Sequence, residues 1–449
     1  MTIKNREIIL NTGTLHLQQG QLKTHHSAMK LLIIFLLFLM PAAMIMTGCQ
    51  AEPSKANQPR VKTGLEVLID RDFDVLQGKR VGLITNATGV DHNLVSIVDI
   101  FHQAEQVNLV ALFGPEHGVR GDYDAGAYVE SYVDQQTGIP VFSLYGPTRK
   151  PTPEMLEDID VLVYDIQDIG ARSYTYISTM GLTMEAAAEL GIEYVVLDRP
   201  NPLGGNRVEG NVAEEGFFSF VSQYPIPYVH GLTVAELAVL LNEEGMLEDG
   251  VQVDLTVVTM ENWRRDMTFD ETGLHWVPTS PHIPHSWSPV FYVATGKFGE
   301  LQILSEGVGY TLPFEIFGAE WIDADRLAAN LNERDFPGVI FRPVSWRPFY
   351  GRDMGKRLQG VQIHVTDYSR LNLTALGYHF LEAHHELYPD KNPFEMATAA
   401  RIRMFDRVAG SDQVRKLFME NMRYEDVKDF LDKDVVPFRE LSRNYWLYE

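Results

Sequence analysis

Val107-Asn-Leu-Val-Ala-Leu-Phe-Gly-Pro-Glu-His-Gly-Val-Arg-Gly121 decides how this chain is read. Its first half is a nearly continuous apolar run, the pattern of a strand covered on both faces, as in a parallel sheet. A carboxylate, an imidazole and a guanidinium then follow within five residues, spaced by Gly114, Pro115, Gly118 and Gly121. In open α/β sheets ligands collect just beyond the carboxyl ends of the strands. Glu116, His117 and Arg120 therefore stand where chemistry is expected. A capped turn with solvated charges explains the Gly and Pro, but not this concentration of reactive groups.

Neighbouring segments repeat the pattern. Lys79–Thr85 runs into Asn86, Ile139–Leu144 into Tyr145-Gly-Pro-Thr-Arg149, Val161–Tyr164 into Asp165-Ile-Gln-Asp-Ile-Gly-Ala-Arg172, and Tyr194–Leu197 into Asp198-Arg-Pro-Asn201. Helical stretches near Leu94–Ala104 and Tyr174–Leu190 separate several of them, so the spacing predicts an α/β fold with a mostly parallel sheet. One Asp or Arg after a strand is ordinarily a cap or a surface ion pair. Five polar strand ends on one rim describe a cleft. No strand leads into a Gly-x-Gly-x-x-Gly loop or a P-loop, so no nucleotide cofactor is expected.

Residues 1–48 read as an export segment. Met29-Lys30 precedes the apolar Leu31–Met40, and small residues lead to Cys49; residues 1–28 lie upstream of this pattern, as an over-long start would. The grammar is that of a lipoprotein leader, with Cys49 as acyl acceptor and residues 49–62 as a polar tether. A plain signal peptide or an uncleaved anchor is the alternative. Cys49 is the single cysteine, so no intrachain disulfide can form. Removing residues 1–48 leaves 401 of 449 residues. The formal charge of −23 includes four cations and one acid in that leader, so the body carries −26. So acidic a body excludes nucleic acid and anionic lipid as partners, since both need a basic footprint; the membrane is met only through the lipid at Cys49. An anionic substrate would need a local arginine pocket, for which Arg120, Arg172 and Arg199 are candidates.

After about residue 225 the texture changes. Thr233–Glu244 reads as a capped amphipathic helix, Val253–Met260 as a strand, and Gly273–Pro289 as a Pro-, His- and Trp-rich loop. Further helices are expected near Ala324–Arg334, Leu373–Leu387, Asp412–Met422 and Glu425–Leu431, with strands near Val339–Val344 and Gly360–Val365. Residues 63–225 are thus expected to form a catalytic α/β domain and 226–449 a smaller auxiliary α/β domain, with the cleft between them. His282 and His285 are close enough to bind a metal, but prolines make their segment an extended loop, so no metal site is assigned. Trp276 and Trp287 are candidates for stacking on a sugar, or for packing.

Together these residues resemble a bacterial family long catalogued as a domain of unknown function and now associated with exo-β-N-acetylmuramidase (NamZ-type) activity. The motifs carrying the resemblance are Gly82-Leu-Ile-Thr-Asn86, Phe113-Gly-Pro-Glu-His-Gly118, Tyr164-Asp-Ile-Gln-Asp-Ile-Gly-Ala-Arg172, Leu197-Asp-Arg-Pro-Asn-Pro-Leu-Gly204, Tyr228-Val-His-Gly231, Thr272-Gly-Leu-His-Trp-Val277 and Gly360-Val-Gln-Ile-His-Val-Thr-Asp367. The resemblance implies a Rossmann-like catalytic domain, release of N-acetylmuramic acid from non-reducing ends of peptidoglycan fragments, and no cofactor. It puts Asn86, Asp198 and His230 beside His117, Arg120, Arg172 and Arg199 as substrate-binding candidates. Departures fall in the second half: Pro278-Thr-Ser-Pro-His282 replaces a Pro-Ser-Pro-Asn-type stretch, and Glu306-Gly-Val-Gly309 replaces Glu-Gly-Thr-Asn.

Glycoside hydrolysis needs a proton donor for the leaving oxygen and stabilisation of an oxocarbenium-like centre. Glu116 is the expected acid. Asp165, Asp168 and Glu306 are candidates for the second carboxylate, unless the substrate's 2-acetamido group serves instead. Arg172 or Arg199 would pair with the lactyl carboxylate that distinguishes muramic acid. Two other readings are a non-catalytic glycan-binding lipoprotein and a metal-dependent hydrolase recruiting His117, Asp122, Asp124 or His282.

Overall fold

The computed structural model describes residues 59–121 and 131–449. The expected leader, Cys49, most of the tether, Asp122 and Asp124 lie outside those residues. The expected tether is shorter than residue 62: Val61 is fully buried, and its amide donates to the Thr272 carbonyl at 3.0 Å.

The main sheet holds β1 (Arg80–Thr85), β2 (Asn108–Gly114), β3 (Tyr132–Val133), β4 (Pro140–Ser143), β5 (Val161–Asp165) and β6 (Glu193–Leu197). After a ribbon of β7 (Glu209–Val212) and β8 (Pro227–Val229), β9 (Leu255–Val258) completes it. The order is β3-β4-β2-β1-β5-β6-β9, and every pair is parallel except β3 with β4. The apolar runs are continuous because alternate residues face opposite, equally covered sides. Val81, Leu83, Val161, Val163 and Leu197 pack with the helices Gly64–Asp70 and Ile97–Gln103. Ile84, Leu162, Tyr164 and Val196 pack with the helices Tyr176–Leu190 and Val234–Glu243. The latter helix starts as its sequence requires, with a reciprocal capping box between Thr233 and Glu236. The chain grows from β1 through β2 to β4, then crosses back to lay β5 on the other side of β1. That reversal opens a crevice at the carboxyl ends, the usual ligand position in such sheets.

A second, antiparallel sheet has the order β10-β12-β11, with β10 (Ile316–Ala319), β11 (Val339–Trp346) and β12 (Leu358–Val365). The helices Ser288–Gly299, Ala324–Glu333 and Leu373–Leu387 pack against it, and their core takes in Ile169, Tyr228 and Val229 from the first half. Pro59–Glu449 form one compact unit. The boundary expected near 225 therefore needs correction: β9 lies beyond it yet pairs with β6 along Tyr194–Leu197. The helix Ser288–Gly299 was not legible in the sequence. Apolar and small residues occupy most of its turns, so it shows no polar stripe to betray its period.

Candidate active site

A cavity of about 480 Å³ opens at the carboxyl ends of β2 and β4, and Glu116 and His117 line it. They sit in a tight turn closed by the Gly118 amide donating to the Pro115 carbonyl at 3.0 Å. His117, third in that turn, has φ +73°, a left-handed conformation that costs a non-glycine residue roughly 1 kcal/mol. The turn holds the Glu116 side chain toward the cavity. Strain of this kind persists only where the surroundings over-determine it.

The wall facing Glu116 is aromatic. Tyr145, just after β4, lies beside Glu116, and burial together with that carboxylate pushes the phenol up to about 12. Tyr174 and Tyr176, at the start of the long helix, stack edge to face with centroids 5.0 Å apart. Tyr292 follows at 5.6 Å from Tyr174, and Phe314 at 5.1 Å from Tyr292. Hydroxyls on this wall are anchored: Tyr174 to Thr279 at 2.7 Å, and Tyr292 to Ser173 at 3.1 Å. His282 also lines the cavity; burial and the neighbouring His117 push its pKa down, against the pull of Glu116. Glu300, whose carboxyl is pushed up mainly by burial, and Arg407 also line the cavity. Arg149 lies over the Phe220 ring at 4.2 Å. Neither Arg149 nor Arg407 has a carboxylate partner among the described residues.

Other expected site residues lie elsewhere. Asn86 is buried beside the site: its carbonyl oxygen accepts from Thr88 (2.9 Å from the amide), and its side chain faces the Tyr176 hydroxyl. Arg120 is held between Asp134 and Asp99, each at 2.9 Å. Asp165 forms a buried two-pronged ion pair with Arg199, one arm at 2.8 Å. Asp198 accepts from Thr233 (2.8 Å), the Ala235 amide (3.0 Å) and Tyr448 (2.5 Å), so it caps a helix and ties down residues near the chain's end. Arg172 is fully buried and donates to the carbonyls of Asn211 (2.7 Å), Ile226 (2.6 Å) and Ala409 (2.9 Å). Gly410 makes room for it, since a Cβ there would meet the guanidinium at 2.6 Å. The lactyl-carboxylate expectation for Arg172 and Arg199 is thus corrected: both guanidiniums are committed inside the fold.

Asp168 accepts the Gly170 amide at 2.6 Å, leaves its other oxygen unpaired, and is pushed by burial up to about 7. It lies behind Tyr174, which feels both its charge and that of Glu116. His230 is buried with one ring nitrogen unpaired, and burial lowers its pKa to about 4. Glu306 sits behind the cavity, bonded to Arg352 at 3.3 Å and pushed up by burial. Trp276 packs on Phe269, whereas Trp287 stacks on His285 and borders a different cavity. Among the described residues no group of three or more His, Cys, Asp and Glu could hold a metal ion. The sequence reading missed Tyr174, Tyr176, Tyr292, Glu300 and Arg407. Tyr145 and Arg149 had a signal, since they follow a strand as Glu116 does.

Two family models together span almost all of the described body. Residues 81–287 match the N-terminal model of exo-beta-N-acetylmuramidase NamZ and residues 290–448 its C-terminal model. A curated relative, peptidoglycan beta-N-acetylmuramidase NamZ of Bacillus subtilis (strain 168), is 44% identical over 423 residues, covering 93% of this chain and all of that protein. Crystal structures of two DUF1343 family proteins from Bacteroides fragilis NCTC 9343 have similar folds. One has a TM-score of 0.84 at 55% identity and the other 0.69 at 27%; each covers 87% of this chain and 99% of the other.

Proposed function

This chain belongs to the NamZ exo-β-N-acetylmuramidase family, and from that premise we propose how its cavity works. The protein is a glycoside hydrolase that releases N-acetylmuramic acid from the non-reducing ends of peptidoglycan fragments. Glu116 is its general acid. The observation that carries this reading is a carboxylate presented on a strained turn at the wall of a cavity, beside Tyr145 and facing aromatic rings.

Among the described residues the cavity wall offers one other carboxylate, Glu300, and Tyr292 is sensitive to its charge while Tyr174 and Tyr176 are sensitive to that of Glu116. The two acids thus act on different rings of the aromatic wall. This arrangement favours assistance by the substrate's own 2-acetamido group. Its carbonyl oxygen attacks C1 as the C1–O bond breaks, and the proton of Glu116 passes to the leaving oxygen. Water then opens the oxazolinium ring and returns a proton to Glu116. Arg149 and Arg407, cavity-lining cations without a carboxylate partner among the described residues, take the lactyl carboxylate.

The test is release of 4-nitrophenol from 4-nitrophenyl β-N-acetylmuramide by wild type and Glu116→Gln, each with and without EDTA. EDTA-insensitive turnover, lost in the variant, is expected. Progressive fluorination of the acetamido methyl should slow the wild type; indifference to fluorination would rule out substrate assistance. The leader grammar before Cys49 supports an exported, lipid-anchored protein, which palmitate labelling of wild type but not Cys49→Ser would verify.

A further inference from the structure

Between β11 and β12 the chain makes a turn, Arg347-Pro-Phe-Tyr-Gly-Arg-Asp-Met-Gly-Lys-Arg357, unlike the rest of the surface. In a chain of charge −23, this turn carries four cations and one acid. It leaves Phe349 59%, Tyr350 42% and Met354 65% exposed, the densest such group among the described residues. Exposed apolar groups in one place usually mark a binding surface. The turn is well held. The Phe349 amide donates to the Gly309 carbonyl at 2.9 Å, Gly355 to Pro348 at 2.8 Å, and Arg352 to Leu304 at 2.8 Å.

This turn is also joined to the active site. The Tyr350 hydroxyl bonds the ring nitrogen of His282 at 2.9 Å, and the two rings lie nearly parallel, 14° apart. His282 lines the cavity and feels both His117 and Glu116. Tyr310, Phe349 and Tyr350 follow one another at 6.1 and 5.5 Å between centroids. An aromatic path therefore runs from solvent to His282 at the cavity wall. An exo-acting glycosidase holds one terminal sugar in its cavity, so the rest of the glycan must leave across the rim.

We propose that Phe349 and Tyr350 are the platform for the sugars on the reducing-end side of the scissile bond. Apolar sugar faces stack on these rings. Arg347 and Arg357, which have no carboxylate partner among the described residues, face the acidic groups of the next muramyl unit. The proposal deepens the muramidase reading and rests on it.

The experiment compares the full chain with Phe349→Ala and Phe349→Trp on two substrates, 4-nitrophenyl β-N-acetylmuramide and a muramyl tetrasaccharide. Phe349→Ala should cost the aryl glycoside less than the tetrasaccharide, since one nitrophenyl ring covers only the first position beyond the scissile bond. It should lower kcat/KM for the tetrasaccharide roughly three- to ten-fold through KM, with Phe349→Trp restoring it. Equal loss on both substrates, or no loss on either, would overturn the platform. If wild type turns over neither substrate, the muramidase reading fails instead. Calorimetric binding of the disaccharide N-acetylglucosaminyl-N-acetylmuramic acid then decides: affinity lost in Phe349→Ala supports the platform, and unchanged affinity overturns it. Binding to anionic vesicles that disappears in Phe349→Ala, without any glycan effect, would also overturn it.

Discussion

The carboxyl ends of β2 and β4 and those of β5 and β6 read alike: an apolar strand, then charged side chains among turn residues. In the fold they part company. Glu116 and Arg149 face a cavity, whereas Asp165, Arg172, Asp198 and Arg199 are buried among partners that the sequence does not announce. The difference lies in what the rest of the chain brings to each rim. Residues from 211 to 226 and from 408 to 409 bring carbonyls to Arg172, and Tyr448 reaches Asp198 from 250 residues away. Around Glu116 the later chain brings ring faces and leaves space. A charged residue at a strand end is functional here when it lines the cavity, not merely when it follows a strand.

This contrast can be broken most directly at its two poles. Glu116→Gln should lower kcat by about 10² to 10⁴, the usual contribution of a general acid, with an unchanged unfolding transition. Arg172→Met should do the reverse, costing about 3–5 kcal/mol in urea unfolding because it strands buried carbonyls, while the folded fraction keeps its turnover. If Arg172→Met remained stable and raised KM alone, the corrected assignment would fail.

Asp168 sharpens the comparison through pH. Burial raises its carboxyl to about 7, so the folded state favours the protonated acid. Its contribution is complete below the ordinary carboxylate range near 4 and is lost as pH rises from there through about 7, by an amount on the order of a few kcal/mol. Asp168→Asn, which keeps an acceptor for the Gly170 amide, should flatten that part of the stability profile. An identical profile in the variant would mean that Asp168 is ionised throughout.

Smaller effects lie at the rim. Arg149→Ala should raise KM for muramides about ten-fold, the worth of one charged hydrogen bond, and leave a glucosaminide analogue unaffected. His117→Gly should gain about 1 kcal/mol in thermal unfolding by relieving the left-handed φ, and should lose activity as the turn loosens. Stabilisation without loss of activity would show that the strain serves no positioning role.

Much of the architecture was legible because it is local. The runs that became β1, β2, β5 and β6 are short, apolar and bounded by turn residues, and the cap at Thr233 is written in four residues. Leu373–Leu387 lies where its period put it. The helix Ser288–Gly299 escaped because a segment packed on many sides carries no periodic stripe. The boundary near 225 misled because β9 adds to the sheet after a long excursion, which no local pattern records. For the site, the Glu116 turn was visible, since it concentrates unusual chemistry in one stretch. Its aromatic wall was not. Tyr174, Tyr292 and Phe314 come from distant segments, and each alone reads as ordinary core.

A structure of the protein bound to N-acetylmuramic acid tests the central claim most directly. The sugar should occupy the cavity beside Glu116 and Tyr174, with its lactyl carboxylate on Arg149 or Arg407 and no contact to Arg172 or Arg199. Density for the sugar against Asp165 and Arg199, or in the separate cavity beside Trp287, would contradict the account.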